Sequence, residues 1–570
     1  MKRVRYTRNP LIDSQPVVNF RDMLQKTAER SADDKAVYLY SRRKKDFSLT
    51  YKDFYKNIRS LGTALYKRGL AGSATAIIGE ADPAYMTTYY ATVITGGTIV
   101  PLDKDISDEE IVNFIKLANV KTVVYTAGLN NRIGKLAEIL PDVCLFVPSF
   151  IEGEEAVSDK TVALEELLRE GEEAFAAGEN FFETVPQDMN KCSAIIFTSG
   201  TTGTSKGVML SQGNLVANTM MSANVIDQLD YNTTLLSVLP MHHTYEVTTG
   251  HLTAHYYGAT VALNDSIKYV SKNIKKYQPT YLILVPLFVE TMHKKMWDEI
   301  RKKGKEKKVR FAMKLSNLLM CFGIDKRKKL FAEIHESYGG RLGAIVCGGA
   351  KLNPQCIKDF RAIGIEVQEG YGITECSPLL AANPINKNKV GSVGPAVKGV
   401  TVKIDKEKPG DQTGEILAKG PNVMLGYFNN KEATDAVFTE DGFFRTGDIG
   451  YLDKDGYIHI TGRKKNIIIL SNGKNIYPEE LEEHLAGHPL FAEYAVVGRE
   501  KDGEVTITAV IYPDYNQLAG KSKEEIEELV RAELNEINRT LPQYKQMRGL
   551  EVRETEFEKT TSRKIKRHKI

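Results

Sequence analysis

A chain of 570 residues is too long for one ordinary hydrophobic core, and a formal net charge of +4 over that length is too small to imply nucleic acid as a partner. Its content, 42% hydrophobic and 26% charged, is that of a folded globular protein, and no run approaches the roughly eighteen consecutive apolar residues of a membrane span. The N-terminus is basic at Lys2, Arg3 and Arg5 with no apolar stretch behind it, so a cytoplasmic protein is expected.

Up to about residue 340, helical stretches alternate with short β-rich apolar runs at 74–78, 121–125, 234–238 and 281–285, the pattern of α/β layers around largely parallel sheets. Within this region an apolar strand from Ile195 empties into Thr198, Ser199, Gly200, Thr201, Thr202, Gly203 and, after Thr204 and Ser205, Lys206. Glycines let backbone N–H groups turn inward, the hydroxyls add donors, and Lys206 supplies a point charge, which together make a phosphate cradle. A P-loop would need Gly before the lysine, Ser or Thr after it, and then a helix; here Ser205 precedes, Gly207 follows, and residues 208–210 read as a second strand. The loop is therefore expected to join two strands, and a Gly/Ser-rich surface turn satisfies the same composition.

Farther along, residues 298–340 hold Phe311, Leu315, Leu318, Leu319 and Phe322 at helical spacing between lysine-rich stretches at 301–308 and 326–329. A basic amphipathic helix of this kind can lie on an anionic membrane; an apolar face packed on the protein, with solvated flanks, gives the same pattern. From about 390 to 462 the strands become short and hairpin-like, which predicts a small β-subdomain. Asp453 and Asp455 lack the other ligands of a calcium loop and read as a turn. Beyond 465, Pro478, Glu479 and Glu480 open a helix that ends before Pro489. His484 and His488 on it have no zinc-protease glutamate between them and read as a solvated face. Ser522 and Glu525 form a capping box ahead of a helix with Ile526, Leu529, Val530, Leu534 and Ile537 on one side. The six cysteines show no paired spacing and are expected to be buried, reduced thiols.

Four further segments follow the cradle: Cys347-Gly348-Gly349-Ala350, Gly370-Tyr371-Gly372-Ile373-Thr374-Glu375, the stretch from Tyr427 to Arg445-Thr446-Gly447-Asp448, and Thr461-Gly462-Arg463-Lys464-Lys465. In this order the five closely resemble the adenylate-forming superfamily of acyl-CoA synthetases, luciferases and peptide-synthetase adenylation domains, over essentially the whole chain. The resemblance implies an α/β fold: a large N-terminal domain of layered α/β subdomains over 1–464, its small β-subdomain at about 390–462, then a small mobile α/β C-terminal domain over 465–570 with its hinge at Lys465. It also implies ATP and Mg²⁺ as cofactors and CoA as co-substrate. Gly348, Gly349, Ala350 and Gly370 would form a flat wall for adenine with Tyr371 stacking on it, Thr374 would hold the α-phosphate, and Glu375 would be the metal ligand. Asp448 would accept the ribose hydroxyls, Arg463 would contact ribose or phosphate, and Lys564 would bridge the attacking carboxylate and the α-phosphate. For Asp448 and Arg463 a structural salt bridge is the plain alternative, and for Lys564 a solvated basic tail; Arg563 stands where the commonest pattern has Gly.

Leu239 to Glu246 resembles the segment whose aromatic or histidine residue flanks the acyl carboxylate, which selects His243, while His242 reads as a packing neighbour. Thr244 stands where amino-acid-activating relatives carry Asp, so amino acids are disfavoured. The run from Ile468 to Pro478 looks like the version found in long-chain members, so the expected reaction is ATP-dependent activation of a long-chain fatty acid to its acyl-adenylate, with pyrophosphate release, and transfer to CoA with release of AMP. An acyl carrier protein as acceptor, a ligase for another carboxylic acid, and a catalytically inactive nucleotide-binding regulatory relative are the alternatives.

Overall fold

The apolar runs become strands of two large sheets in the computed structural model, which describes residues 16–42, 45–149, 156–198, 205–226, 229–470, 475–501, 504–560 and 565–570. In the eight-stranded sheet the spatial order is Leu379–Ala382, Glu366–Gly372, Ala344–Cys347, Tyr281–Leu284, Thr234–Ser237, Thr260–Leu263, Ala36–Arg42 and Lys45–Thr50, with an antiparallel strand at each edge and parallel pairing between. Helices cover its central strands, so runs such as Ala344–Cys347 are buried at every position, as parallel strands are when both faces are covered. The seven-stranded sheet runs Gly426–Tyr427, Lys206–Ser211, Cys192–Thr198, Thr98–Leu102, Ala74–Ile78, Val120–Thr126 and Leu145–Ser149.

The candidate cradle joins two strands, as the sequence suggests: Cys192–Thr198 and Lys206–Ser211 pair antiparallel with Thr198 opposite Lys206. Ser211 then caps the helix Gln212–Val225 in a capping box with Asn214. Thr401–Asp405, Gly414–Lys419, Phe444–Leu452 and Ile458–Arg463 form a separate four-stranded antiparallel sheet. In its last turn Lys389 reaches both Asp453, at 2.6 Å, and Asp455, at 2.8 Å, so these carboxylates are occupied by an ammonium. The C-terminal domain folds a three-stranded sheet against the helices Pro478–Leu485 and Lys523–Arg539, the second opened by the Ser522–Glu525 box and burying Ile526, Val530 and Leu534. The first helix ends at Leu485, so His488 lies beyond it and its Nε2 stands 3.1 Å from Glu533.

Two expectations need correction. Cys144 and Cys321 are exposed and Cys192 is half-buried, because Cys144 stands at the entry to an edge strand, Cys321 ends a surface helix and Cys192 begins a strand; only Cys347, Cys356 and Cys376 are buried. The long inserted helix also packs by a different face. Following α1 (Pro286–Lys302), α2 (Glu306–Cys321) rests on α3 (Pro354–Ile363) through Met313 and Ser316, whose hydroxyl donates to the Ala362 carbonyl at 2.7 Å. Arg310 anchors it to α1 by stacking 4.4 Å over the ring of Trp297. Phe311, Leu315, Leu318 and Phe322 are consequently left exposed, while Leu319 is half-buried. Among the described residues no helix is long and apolar enough to cross a membrane.

Candidate active site

The strand Glu366–Gly372 ends at the place where the site is built. Tyr371 lies near its end, and a single 3₁₀ turn, Thr374–Cys376, then carries Thr374 and Glu375. The Tyr427 hydroxyl donates to Glu375 Oε1 at 2.9 Å, and Lys206 Nζ sits 4.9 Å from the centroid of the same ring. Strand pairing sets this row: Tyr427 is opposite Val208, and the Phe428 amide donates to the Gly207 carbonyl. Burial, then the adjoining Glu375 charge, raises the Tyr427 pKa, so the phenol keeps the proton it donates. Lys206 makes no ion pair, and Glu375 Oε2 meets no donor, among the described residues. A cation and a carboxylate oxygen are thus held side by side with capacity for a ligand.

A second row begins at Tyr371, whose hydroxyl donates to Asp448 Oδ2 at 2.7 Å, and Arg463 Nε lies 2.7 Å from Asp448 Oδ1. Asp448 and Arg463 are cross-strand partners, so the sheet register creates the ion pair that the sequence held open as the plain alternative. Only 3% of Asp448 is exposed, and its amide is fixed by the Thr446 hydroxyl at 3.1 Å. A carboxylate oxygen can accept more than one hydrogen bond.

The glycine wall has two different causes. A Cβ on Gly348 would lie 3.1 Å from Tyr245 Cζ, so a side chain there would have to push the tyrosine ring aside by a few tenths of an ångström. At Gly370 an added Cβ would meet nothing closer than 3.6 Å, so protein packing does not demand its bareness. Gly349 and Ala350 are exposed, Gly349 with φ near +85°. Tyr245 follows His243 and opens the π-helical segment Tyr245–Leu252, which brings the His243 segment against the wall. The rings of His242 and His243 are 4.1 Å apart; burial lowers the His242 pKa to about 4, and its Nε2 stands 3.6 Å from Asp103. Lys465 lies in the turn Lys464–Asn466, its pKa lowered by burial and then by Arg463. Lys351 pairs with Glu483, and Lys294 with Asp514 at 3.2 Å, ion pairs that tie the C-terminal domain to the body.

Of the residues singled out from sequence, Thr198, Lys206, His243, Gly348, Gly349, Ala350, Gly370, Tyr371, Thr374, Glu375, Asp448, Arg463 and Lys465 can be placed; Ser199, Gly200, Thr201, Thr202, Gly203 and Lys564 lie outside the described residues. Tyr245 and the bridging role of Tyr427 were missed, although Tyr427 opens one of the motif stretches. Among the described residues no three His, Cys, Asp or Glu side chains cluster as a metal cage.

Beneath His243 lies a buried carboxyl that the sequence did not single out. Glu246 accepts from Ser237, whose hydroxyl also meets His251 Nε2 at 3.1 Å, and the Tyr38 hydroxyl meets His251 Nδ1 at 2.9 Å. Desolvation raises the Glu246 pKa to about 8. The folded state therefore holds a proton that the unfolded chain releases above its ordinary carboxyl pKa near 4.5, so this residue's stability contribution is full below pH 4.5 and declines as pH rises to about 8. Glu246→Gln is neutral throughout, so its denaturation midpoint should fall less between pH 5.5 and 8 than that of the unmodified protein. Parallel pH dependence in the two proteins would contradict the neutral assignment.

Comparison with known proteins identifies the family and the fold. The model of the AMP-binding enzyme family matches residues 24–428, and that of the AMP-binding enzyme C-terminal domain matches residues 465–570. The chain is 29% identical over 469 residues, 80% of its length and 76% of the relative's, to the long-chain-fatty-acid–CoA ligase FadD15 of Mycobacterium bovis. It is 27% identical over 560 residues, 85% of its length and 76% of the relative's, to a chloroplastic long-chain-fatty-acid–[acyl-carrier-protein] ligase, AEE15, of Arabidopsis thaliana. The crystal structure of ATP-bound MatB from Rhodopseudomonas palustris superposes with a TM-score of 0.73 at 24% identity, over 97% of this chain and 98% of that one. With both family models matched in order and the fold shared end to end, the chain belongs to the AMP-binding enzyme family and has its adenylate-forming fold, a large N-terminal domain followed by a small C-terminal one.

Proposed function

We propose that the protein is an acid–thiol ligase that activates a long-chain fatty acid with ATP and passes the acyl group to CoA. The observation that carries this reading is the meeting of two rows, Lys206–Tyr427–Glu375 and Tyr371–Asp448–Arg463, four residues apart on one strand end, with the His243 segment packed beside them through Tyr245. Lys206 meets phosphate charge, Asp448 and Arg463 hold the ribose end, and the bare backbone at Gly370 admits a flat base. His243 orients the acid so that a carboxylate oxygen attacks the α-phosphorus and the bond to pyrophosphate breaks. Lys564 stabilises the charge on that transition state. The C-terminal domain then turns about Lys465, and the thiolate sulfur attacks the acyl carbonyl as AMP leaves.

The donor set near the phosphates fits Mg²⁺, a hard ion that takes one or two carboxylates and substrate oxygens, since Glu375 has an oxygen without a protein donor among the described residues. When bound, the ion offsets charge on the triphosphate. Glu375→Gln should raise the Mg²⁺ concentration needed for half-maximal activity, with the ATP requirement at saturating metal little changed; an unaltered Mg²⁺ titration would remove Glu375 as the ligand.

The fatty acid is supported by Thr244 in place of an acidic residue and by the name that the FadD15 relative carries. An acyl carrier protein as acceptor is the second reading, supported by the AEE15 relative. The activity is tested by ATP–pyrophosphate exchange: oleate should support it and amino acids should not. Nucleotide binding without exchange for any acid would leave the protein an inactive relative.

A further inference from the structure

We propose that the outer face of α2 docks the protein on an anionic lipid bilayer. Phe311, Leu315, Leu318 and Phe322 stand at i, i+4, i+7 and i+11 and so form one stripe along the helix, with Phe311 68%, Leu318 56% and Phe322 73% exposed. Opposite them, Met313 and Ser316 do the packing on α3, so the stripe is not a core face turned slightly outward. Four large apolar side chains in line on a convex helix are an uncommon surface, and such patches mark interaction sites.

The surrounding charges select the partner. Lys307 and Lys314 lie one helical turn before Phe311 and Leu318, and Lys308 lies between the rows of Phe311 and Leu315, so lysines border the stripe on both sides. Lys302, Lys307, Lys308, Lys314, Lys326, Lys328 and Lys329 make no ion pair among the described residues. By contrast Lys303 and Lys305 are both engaged by Glu333, at 2.6 and 2.8 Å, and Arg310 is held by Glu306 and Trp297. The only acids between residues 301 and 330, Glu306 and Asp325, are already paired with Arg310 and Arg327. An apolar crest with free lysines on its shoulders matches a bilayer surface: the crest enters the acyl boundary while the lysine stems snorkel to the headgroups. A protein partner would need a groove complementary to a single projecting ridge. Docking does not depend on the acyl-chain reading and survives its failure.

The test is sedimentation of the full chain with phosphatidylserine/phosphatidylcholine vesicles and with phosphatidylcholine alone. The unmodified protein should sediment with the anionic vesicles at low salt and be released by high salt. Lys307→Glu/Lys308→Glu/Lys314→Glu should weaken that partition on the order of 100-fold, each basic residue near such a surface contributing about 1 kcal/mol. Phe311→Ser/Leu318→Ser/Phe322→Ser should also reduce sedimentation, and both variants should keep exchange activity on a water-soluble medium-chain acid. Absence of the unmodified protein from the anionic pellet, or variants that pellet equally well, would overturn the proposal. So would unchanged vesicle binding accompanied by slower transfer to an acyl carrier protein or by a change of oligomeric state, which would make the stripe a protein-docking face.

Discussion

Asp448→Ala is expected to lower acid-dependent ATP–pyrophosphate exchange on the order of 10²-fold, mostly as a higher requirement for ATP. The carboxylate is the buried common acceptor of the Tyr371 hydroxyl and Arg463, each at 2.7 Å, so its removal frees both groups that flank the proposed nucleoside position. Charge-assisted hydrogen bonds of this kind contribute about 1.5–3 kcal/mol each, and a buried hydroxyl left without an acceptor costs about 1–3 kcal/mol, so some loss of thermal stability accompanies the kinetic defect. Asp448→Asn keeps an acceptor for Tyr371 but removes the charge facing Arg463, and should fall between alanine and the unmodified protein. Assays well below the variants' melting temperatures separate the two effects. An alanine variant with an unchanged KM for ATP would show that the Asp448–Arg463 pair is structural only.

The second large effect falls on Lys564. Its proposed ammonium bridges the attacking carboxylate and the α-phosphate only while the adenylate forms, and loss of one preorganised transition-state donor typically costs on the order of 10²- to 10³-fold. Lys564→Ala should therefore be slowed by that factor in pyrophosphate release from ATP and fatty acid, while converting presynthesised acyl-adenylate and CoA to thioester at close to the original rate. The split is the signature of one residue serving one half-reaction. Equal loss in both would mean that the lysine supports folding or domain closure instead.

What could be read from the sequence was local in character. The strand–loop–strand at Cys192–Ser211 followed from glycines and hydroxyls between two apolar runs, and the capped helix after Ser522 from a box four residues long. The motif residues were found through the family resemblance, and they do not share one position: Gly348 follows the strand Ala344–Cys347, whereas Asp448 lies inside Phe444–Leu452. Partnerships across distant strands were not legible: Tyr427 bridging Lys206 and Glu375 depends on the pairing of Gly426–Tyr427 with Lys206–Ser211, and Tyr38 reaches His251 across 213 positions. The orientation of α2 was ambiguous for a physical reason. Its larger apolar residues resemble a core face, yet Ser316 finds a carbonyl on α3 and turns Phe311, Leu318 and Phe322 outward. Sequence periodicity records that a helix has an apolar side but not which neighbour claims the other.

The most direct measurement of the central claim is pyrophosphate release from ATP and Mg²⁺ with carboxylic acids from acetate to oleate, each with and without CoA. Release that rises with chain length to oleate, and an acyl thioester with AMP that form only when CoA is present, is the result expected here. Preference for acetate or an aromatic acid, or thioester formation with acyl carrier protein but not with CoA, would contradict it.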